Sequence, residues 1–388
     1  MKETRRTEFE LPPGHEPFTD TYFLRARKIL LEEGINPRVR YQYFIRRGPG
    51  ITAGIDEAIA AIVKYRPEFV EHGGTILALR DGSTYQSLDT QMVVEGYVQD
   101  LMDLETIPLS ALSERTSAVN GAGEPDPARI TETVAEIMDI LERSEYGPRP
   151  LSYFGARHYG SEWDARLGKA AFDGGATAAS TDMGASQAGL RGSGTTPHAL
   201  LLAFASRYGI GEYQVRVMEA FRKHIDDSVP TVFLADTFNR EITDTLKVAR
   251  ALGEDFHGPR FDTNGAVVAE GGVPFDGRKF WTGNGVTVAG VLAARRAFAD
   301  AGYRNLEIAL TSGFSNPEKV RTFVEAEKKY GRKLFGFLGA GFADGRYTAT
   351  SDIVGYYGEQ GRFQELHKVG RPIRPNPELE NVDLTEFV

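Results

Sequence analysis

Residues 231–263 read TVFLADTFNREITDTLKVARALGEDFHGPRFDT. The apolar run 231–235 has strand character and stops at Asp236-Thr237. A helical pattern follows over about 241–252, and a second short run, 259–261, stops at Asp262-Thr263. Strand, polar loop, helix and strand form the unit from which parallel sheets are built. The rhythm continues downstream. Residues 305–310 (NLEIAL) end at Thr311-Ser312-Gly313, a helix spans about 316–330, and 333–337 end at Leu338-Gly339-Ala340-Gly341. Polar or glycine residues just after each strand match the active-face loops of an α/β barrel. An open doubly wound sheet is the rival arrangement.

Upstream the texture differs. Residues 1–17 are an irregular lead-in broken by Pro12-Pro13-Gly14. A helix is predicted over 19–33, with Thr19 or Asp20 as its cap and Gly34 as its stop, and a second over 55–65. Short strands are predicted over 75–79 and 90–96. A Gly, Pro and Asp-rich loop (118–128) leads to a helix over about 128–145. Beyond Arg346 the rhythm is lost in a Pro-rich, acidic stretch expected to pack back on the first domain. The expected division is an N-terminal α/β sandwich domain (1–111, with 346–388 against it) and an irregular α/β barrel (112–345).

Composition bounds the chemistry. The chain has 388 residues, 41% apolar, enough for roughly two domains with a real core. It has no cysteine, which excludes disulfides, thiolate metal sites and a cysteine nucleophile, and fits a cytoplasmic location. A net charge of -9 disfavours nucleic acid as a partner, and no apolar stretch approaches the ~20 residues of a membrane span. There is no GxGxxG after an early strand, no GxxxxGKS loop, no HExxH and no GxSxG.

The candidate chemistry lies at the strand ends. Ser312-Gly313 and Gly339-Ala340-Gly341 have the form of phosphate cradles, where backbone N–H groups and a helix start meet an anion, although glycines also make plain turns. Asp236 and Asp262 can hold Mg²⁺ or a sugar hydroxyl, or simply cap the next helices. Arg260, two residues before Asp262, points to the same face of its strand. Arg157-His158 lies in SYFGARHYG at a strand end; an Arg there suits a small carboxylate or bonds carbonyls structurally. His198 follows Gly194-Thr195-Thr196-Pro197 and opens an apolar helix, a position common for capping or core histidines.

Read in order, these segments resemble the nicotinate phosphoribosyltransferases, particularly their short archaeal-like branch. The resemblance runs from about Thr19 to Gly341. It rests on Thr19-Asp20-Thr21-Tyr22-Phe23, Phe154-Gly155-Ala156-Arg157-His158, Gly194-Thr195-Thr196-Pro197-His198, Ala235-Asp236-Thr237-Phe238, Arg260-Phe261-Asp262-Thr263 and Thr311-Ser312-Gly313-Phe314. Each is weak alone; their order is specific. The resemblance implies a type II phosphoribosyltransferase fold, with nicotinate and 5-phosphoribosyl 1-diphosphate (PRPP) as substrates and ATP hydrolysis as the drive. It implies a phosphohistidine at His198, the nicotinate carboxylate on Arg157, and Tyr22 from a partner subunit stacked on the ring. Asp236 and Asp262 would serve the ribose and Mg²⁺. Ser312, Gly313, Gly339 and Ala340 would hold the 5-phosphate, with His158, Thr195 and Arg260 as further substrate contacts. A homodimer or higher homo-oligomer with the site at the interface follows from the same resemblance.

The chain departs from the family pattern at Thr177-Ala178-Ala179-Ser180, where an acid is missing, at Tyr159-Gly160-Ser161, and in a Gly-rich insertion over about 265–281. Quinolinate or nicotinamide is the alternative base, and a non-catalytic nucleotide-binding relative or a sugar-phosphate lyase or isomerase is the alternative class.

Overall fold

The segment Arg38–Ile45 alternates along its length. Val39, Tyr41, Tyr43 and Ile45 face the core, while Gln42, Phe44 and then Arg46 share the other face, as the two-residue period of a strand requires. In the computed structural model, which describes residues 5–358 and 360–388, this segment is the first strand of a mixed α/β fold. The strands are β1 (Arg38–Ile45), β2 (Gly50–Ile51), β3 (Thr75–Ala78), β4 (Thr84–Tyr85) and β5 (Thr90–Tyr97). Then come β6 (Leu151–Tyr153), β7 (Ala178–Ala179), β8 (Val232–Leu234), β9 (Gly258–Phe261), β10 (Ala309–Leu310) and β11 (Phe337–Ala340). The last are β12 (Ala349–Tyr357), β13 (Phe363–Glu365) and β14 (Glu380–Asn381).

One six-stranded sheet has the order β13-β12-β1-β5-β3-β14, with antiparallel pairing throughout. Its edges and one central neighbour come from the end of the chain: β12 pairs with β1 in the register Arg38↔Tyr357 to Ile45↔Ala349. The other sheet is parallel, with the order β7-β6-β11-β10-β9-β8. The four strands expected to be neighbours are indeed adjacent, with Ala309 opposite both Arg260 and Phe337. Among the described residues the strand ladder does not close into a complete ring. The gap between its edges is bridged by 193–196, through Ser193 N–H to the Ala179 carbonyl (2.8 Å) and the Thr196 hydroxyl to the Val232 carbonyl (3.5 Å).

The helices fall close to their predicted places: Thr21–Glu32, Ile55–Tyr65, Pro127–Glu142, His198–Tyr208, Glu241–Leu252 and Pro317–Tyr330. The largest difference is β11. The run expected at 333–337 becomes a strand only at Phe337–Ala340, so Gly339 and Ala340 lie inside the sheet, not in a loop after it. The helix Thr106–Val119 is buried on nearly all sides, including its serines. Ser113 is why this is tolerated: its hydroxyl donates to the Arg157 carbonyl (2.9 Å) and accepts from Ala349 N–H (2.9 Å), pinning the 156–158 turn and the start of β12 to one helix. Among the described residues, no helix is long and apolar enough to cross a membrane.

Candidate active site

The parallel strands end on one rim. β9 supplies Arg260 and, just past its end, Asp262; β10 leads into Thr311 and Ser312. The rim encloses a cavity of about 550 Å³, roofed by Gln42, Phe44 and Arg46 from β1 and its extension.

Asp236 and Asp262 do not cap helices. The start of the Glu241–Leu252 helix is capped by Glu270 from the Gly-rich insertion, which accepts from Ile242 N–H (2.8 Å) and Thr243 N–H (2.9 Å). Asp236 instead lies 3.0 Å from His198 Nε2 and 2.6 Å from Lys368 Nζ. Lys368 also donates to the Asp262 carbonyl (2.9 Å) and stands 3.6 Å from its carboxylate, which accepts from the Thr311 hydroxyl (2.8 Å). Burial alone would raise both carboxyls. Lys368 and His198 together outweigh it at Asp236, and Lys368, Arg260 and His198 together at Asp262, so both groups fall below the usual carboxylate range. His198 is lowered by burial first and Lys368 second, which favours the neutral ring. Ligand atoms of His198, Asp236 and Asp262 lie within 4.8 Å of one another, a grouping that suits a metal ion by spacing, but the Lys368 ammonium already stands beside both carboxylates.

Ser312 and Gly313 have φ of +69° and +82°. A serine in the left-handed region is uncommon and is held there at some cost by its surroundings. The turn leads to Asn316, whose side chain accepts from Glu318 N–H (2.9 Å) and starts the Pro317–Tyr330 helix. Strand, tight turn and helix start are an arrangement that can hold an anion. From the first turn of that helix Lys319 donates to the Ser312 carbonyl (2.8 Å), and burial pushes its ammonium down to about 8. Gly339 has a different reason to be glycine: a Cβ there would stand 2.4 Å from Phe154 Cε2. Gly339 and Ala340 line the cavity, yet no helix start follows them, because β12 is the next element.

Arg157 is already committed. Its guanidinium reaches Asp20 (2.6 Å) and Glu105 (3.1 Å) and touches the Tyr22 hydroxyl. Burial raises Glu105 to about 7 despite Arg157. Asp20 takes the N-cap position of the first helix, one of the two expected, but its carboxylate bonds Arg157, Tyr22 and Thr106 rather than the helix N–H groups. Tyr22 of the same chain lines the cavity. Thr21 N–H bonds the Ser180 carbonyl (2.7 Å), docking the N-terminal helix on the end of β7, and the Tyr22 ring then lies between Arg157 and Arg260. Arg260 is buried, and among the described residues its guanidinium has no hydrogen bond or ion pair, while it faces the cavity. His158 also lines the cavity, pushed down to about 3 by burial and then by Arg157 and Arg46. Thr195 does not reach this site. It lines a separate cavity of about 1090 Å³ at the N-terminal ends of the parallel strands, which shares only Phe154 and Arg260 with the first.

Sequence reading missed Arg46, Lys319, Lys368, Arg371 and Arg374. Arg46 is pushed down to about 10 by burial and then by Arg371. Its place two residues after Phe44 on an alternating segment was the available signal. The tail residues carry none, because their position depends on where the chain returns.

No protein-family model and no curated protein matches this chain. Solved structures do. The nicotinate phosphoribosyltransferase of Porphyromonas gingivalis superposes with a TM-score of 0.64 at 15% identity, over 92% of this chain and 94% of that one. A putative nicotinate phosphoribosyltransferase of Saccharomyces cerevisiae gives 0.62 at 13%, over 94% and 90%. That of Vibrio cholerae gives 0.61 at 13%, over 91% of each. The chain therefore has a phosphoribosyltransferase-type α/β fold. More narrowly, the fold is the one seen in solved nicotinate phosphoribosyltransferases.

Proposed function

We propose that this chain is a nicotinate phosphoribosyltransferase, forming nicotinate mononucleotide and pyrophosphate from nicotinate and PRPP. One observation carries the reading: the Ser312-Gly313 cradle, the ionised Asp262 and the unpaired Arg260 face one cavity from adjacent strands. Displacement at the anomeric carbon passes through an oxocarbenium-like state and needs no covalent nucleophile from the protein. It needs the 5-phosphate fixed, the ribose hydroxyls held and the leaving pyrophosphate neutralised. The Ser312-Gly313 turn suits the first task and the Asp262 carboxylate the second, while Asp236 lies buried against Lys368 and His198. Arg46, Arg371 and Arg374 on the cavity wall suit the third, with Mg²⁺ entering as the PRPP complex.

The resemblance assigned the nicotinate carboxylate to Arg157. Two carboxylates already neutralise that residue, so Arg260 is the better partner, with Tyr22 beside it as the aromatic wall. ATP coupling through His198 belongs to the same proposal: Asp236 holds Nε2 and leaves Nδ1 as the nucleophilic nitrogen. The homo-oligomer is kept as part of the reading; a sedimenting monomer with full activity removes it.

The test supplies PRPP and Mg²⁺ with nicotinate, nicotinamide or quinolinate, with and without ATP, and follows pyrophosphate release. Nicotinate is expected to be preferred. Preference for quinolinate or nicotinamide changes the base, and no release with any of them leaves a nucleotide-binding relative.

A further inference from the structure

The chain from 366 to 376 crosses the open rim and is fastened at both sides. Val369 N–H bonds the Thr237 carbonyl (2.9 Å) and Asn264 Nδ2 donates to the Gly370 carbonyl (3.3 Å) on the parallel-sheet side. Gln42 binds the Pro372 carbonyl (3.0 Å) and Arg374 N–H (3.1 Å), and Asn376 donates to the Thr90 carbonyl (2.8 Å), on the antiparallel side. Gly370 is built for the crossing: its φ is +84°, and a Cβ would stand 2.9 Å from Asn264 Cγ. This strap holds Lys368, with a side chain only 5% exposed, against Asp236 at 2.6 Å and Asp262 at 3.6 Å.

We propose that Lys368 is the resident cation of the Asp236–Asp262 pair and keeps a divalent metal ion from binding there. A Mg²⁺ or Mn²⁺ ion bridging these carboxylates needs oxygen ligands close to 2 Å and room for its waters. The ammonium takes that room, supplies the positive charge, and spends a further donor on the Asp262 carbonyl. Lys368 is thus a positioning residue: it keeps the buried Asp236 and the cavity-lining Asp262 ionised with no metal ion of their own. This goes beyond the phosphoribosyl reading and rests on the strap and the two acids alone, so its test uses no substrate.

The probe is Mn²⁺ alone, followed by loss of the free-ion electron paramagnetic resonance signal. Wild type is expected to bind no Mn²⁺ at these acids, so Asp236→Asn leaves its titration unchanged. Lys368→Ala is expected to bind one Mn²⁺ at least about tenfold more tightly than wild type, since two carboxylates then lack a counter-charge. Adding Asp236→Asn to Lys368→Ala removes that ion. Tight Mn²⁺ binding by wild type that Asp236→Asn abolishes overturns the proposal, as does a Lys368→Ala chain that binds no better than wild type. If Lys368→Ala does not fold, the wild-type and Asp236→Asn titrations decide by themselves.

Discussion

Gly194 has no side chain because the ring of Tyr22 lies against it: a Cβ there would stand 2.6 Å from Tyr22 Cδ1. The first helix and the segment before His198 are thus fitted to each other, and the fit sets the wall of the cavity. Gly194→Ala is expected to cost ~1–3 kcal/mol, as overpacking does, and to displace Tyr22. Gly211→Ala, at a glycine with open space around it, is expected to stay within about 0.5 kcal/mol. Urea unfolding of the two variants beside wild type makes the comparison, and equal losses would refute the fit.

Arg157 and Arg260 are expected to fail in opposite ways. Arg157→Ala strands buried Asp20 and Glu105 and should lose ~3–5 kcal/mol of stability. Arg260→Ala removes a buried cation with no hydrogen bond or ion pair among the described residues, so it should lose less stability than Arg157→Ala while use of an acidic base falls about 10²–10³-fold. Denaturation and kcat/KM together separate them. An Arg260→Ala chain that uses nicotinate as well as wild type places the carboxylate elsewhere.

Asp164 gives a pH test away from the cavity. It is buried, accepts from the Thr181 hydroxyl (2.6 Å), and is raised by burial to about 7. Its folded pKa exceeds its unfolded one, so the protonated form's contribution is complete below about pH 4 and is lost as pH rises through about 7. Asp164→Asn removes that dependence. The variant's stability relative to wild type should climb by roughly 2–4 kcal/mol between pH 4 and 8 and then level off. A difference that does not change with pH would show that Asp164 ionises normally.

His198→Ala is expected to lose ATP-stimulated nucleotide formation while a slow ATP-independent transfer survives, since the cradle and the acids remain. Product formation with and without ATP measures it. Retained stimulation leaves His198 as no more than a hydrogen-bond partner of Asp236.

Candidate site residues placed where a strand ends were legible in the sequence. Asp236, Asp262 and Ser312 each follow an apolar run, and the alternation of strand and helix places such residues on one rim. Glycine misled at Gly339, because a residue that admits a neighbouring ring looks the same in sequence as one that makes a turn. Arg157 was found, but its partners Asp20 and Glu105 lie on other elements, and no local pattern says that an Arg is already neutralised. Lys368 was invisible for a related reason: its place is set by ties to Thr237, Asn264 and Gln42, far away in the chain.

The pairing of β12 with β1 has a consequence for synthesis. β1 emerges early from the ribosome, but the strand that covers one of its edges is made only after the entire parallel sheet. Throughout that interval the nascent chain carries an open, largely apolar edge, the kind that invites wrong pairing and draws chaperones. Contacts this distant in sequence also form slowly. Protease challenge of chains stalled before Ala349 should find β1 exposed while β8 to β11 already resist; early protection of β1 would mean that something else shields it until its partner arrives.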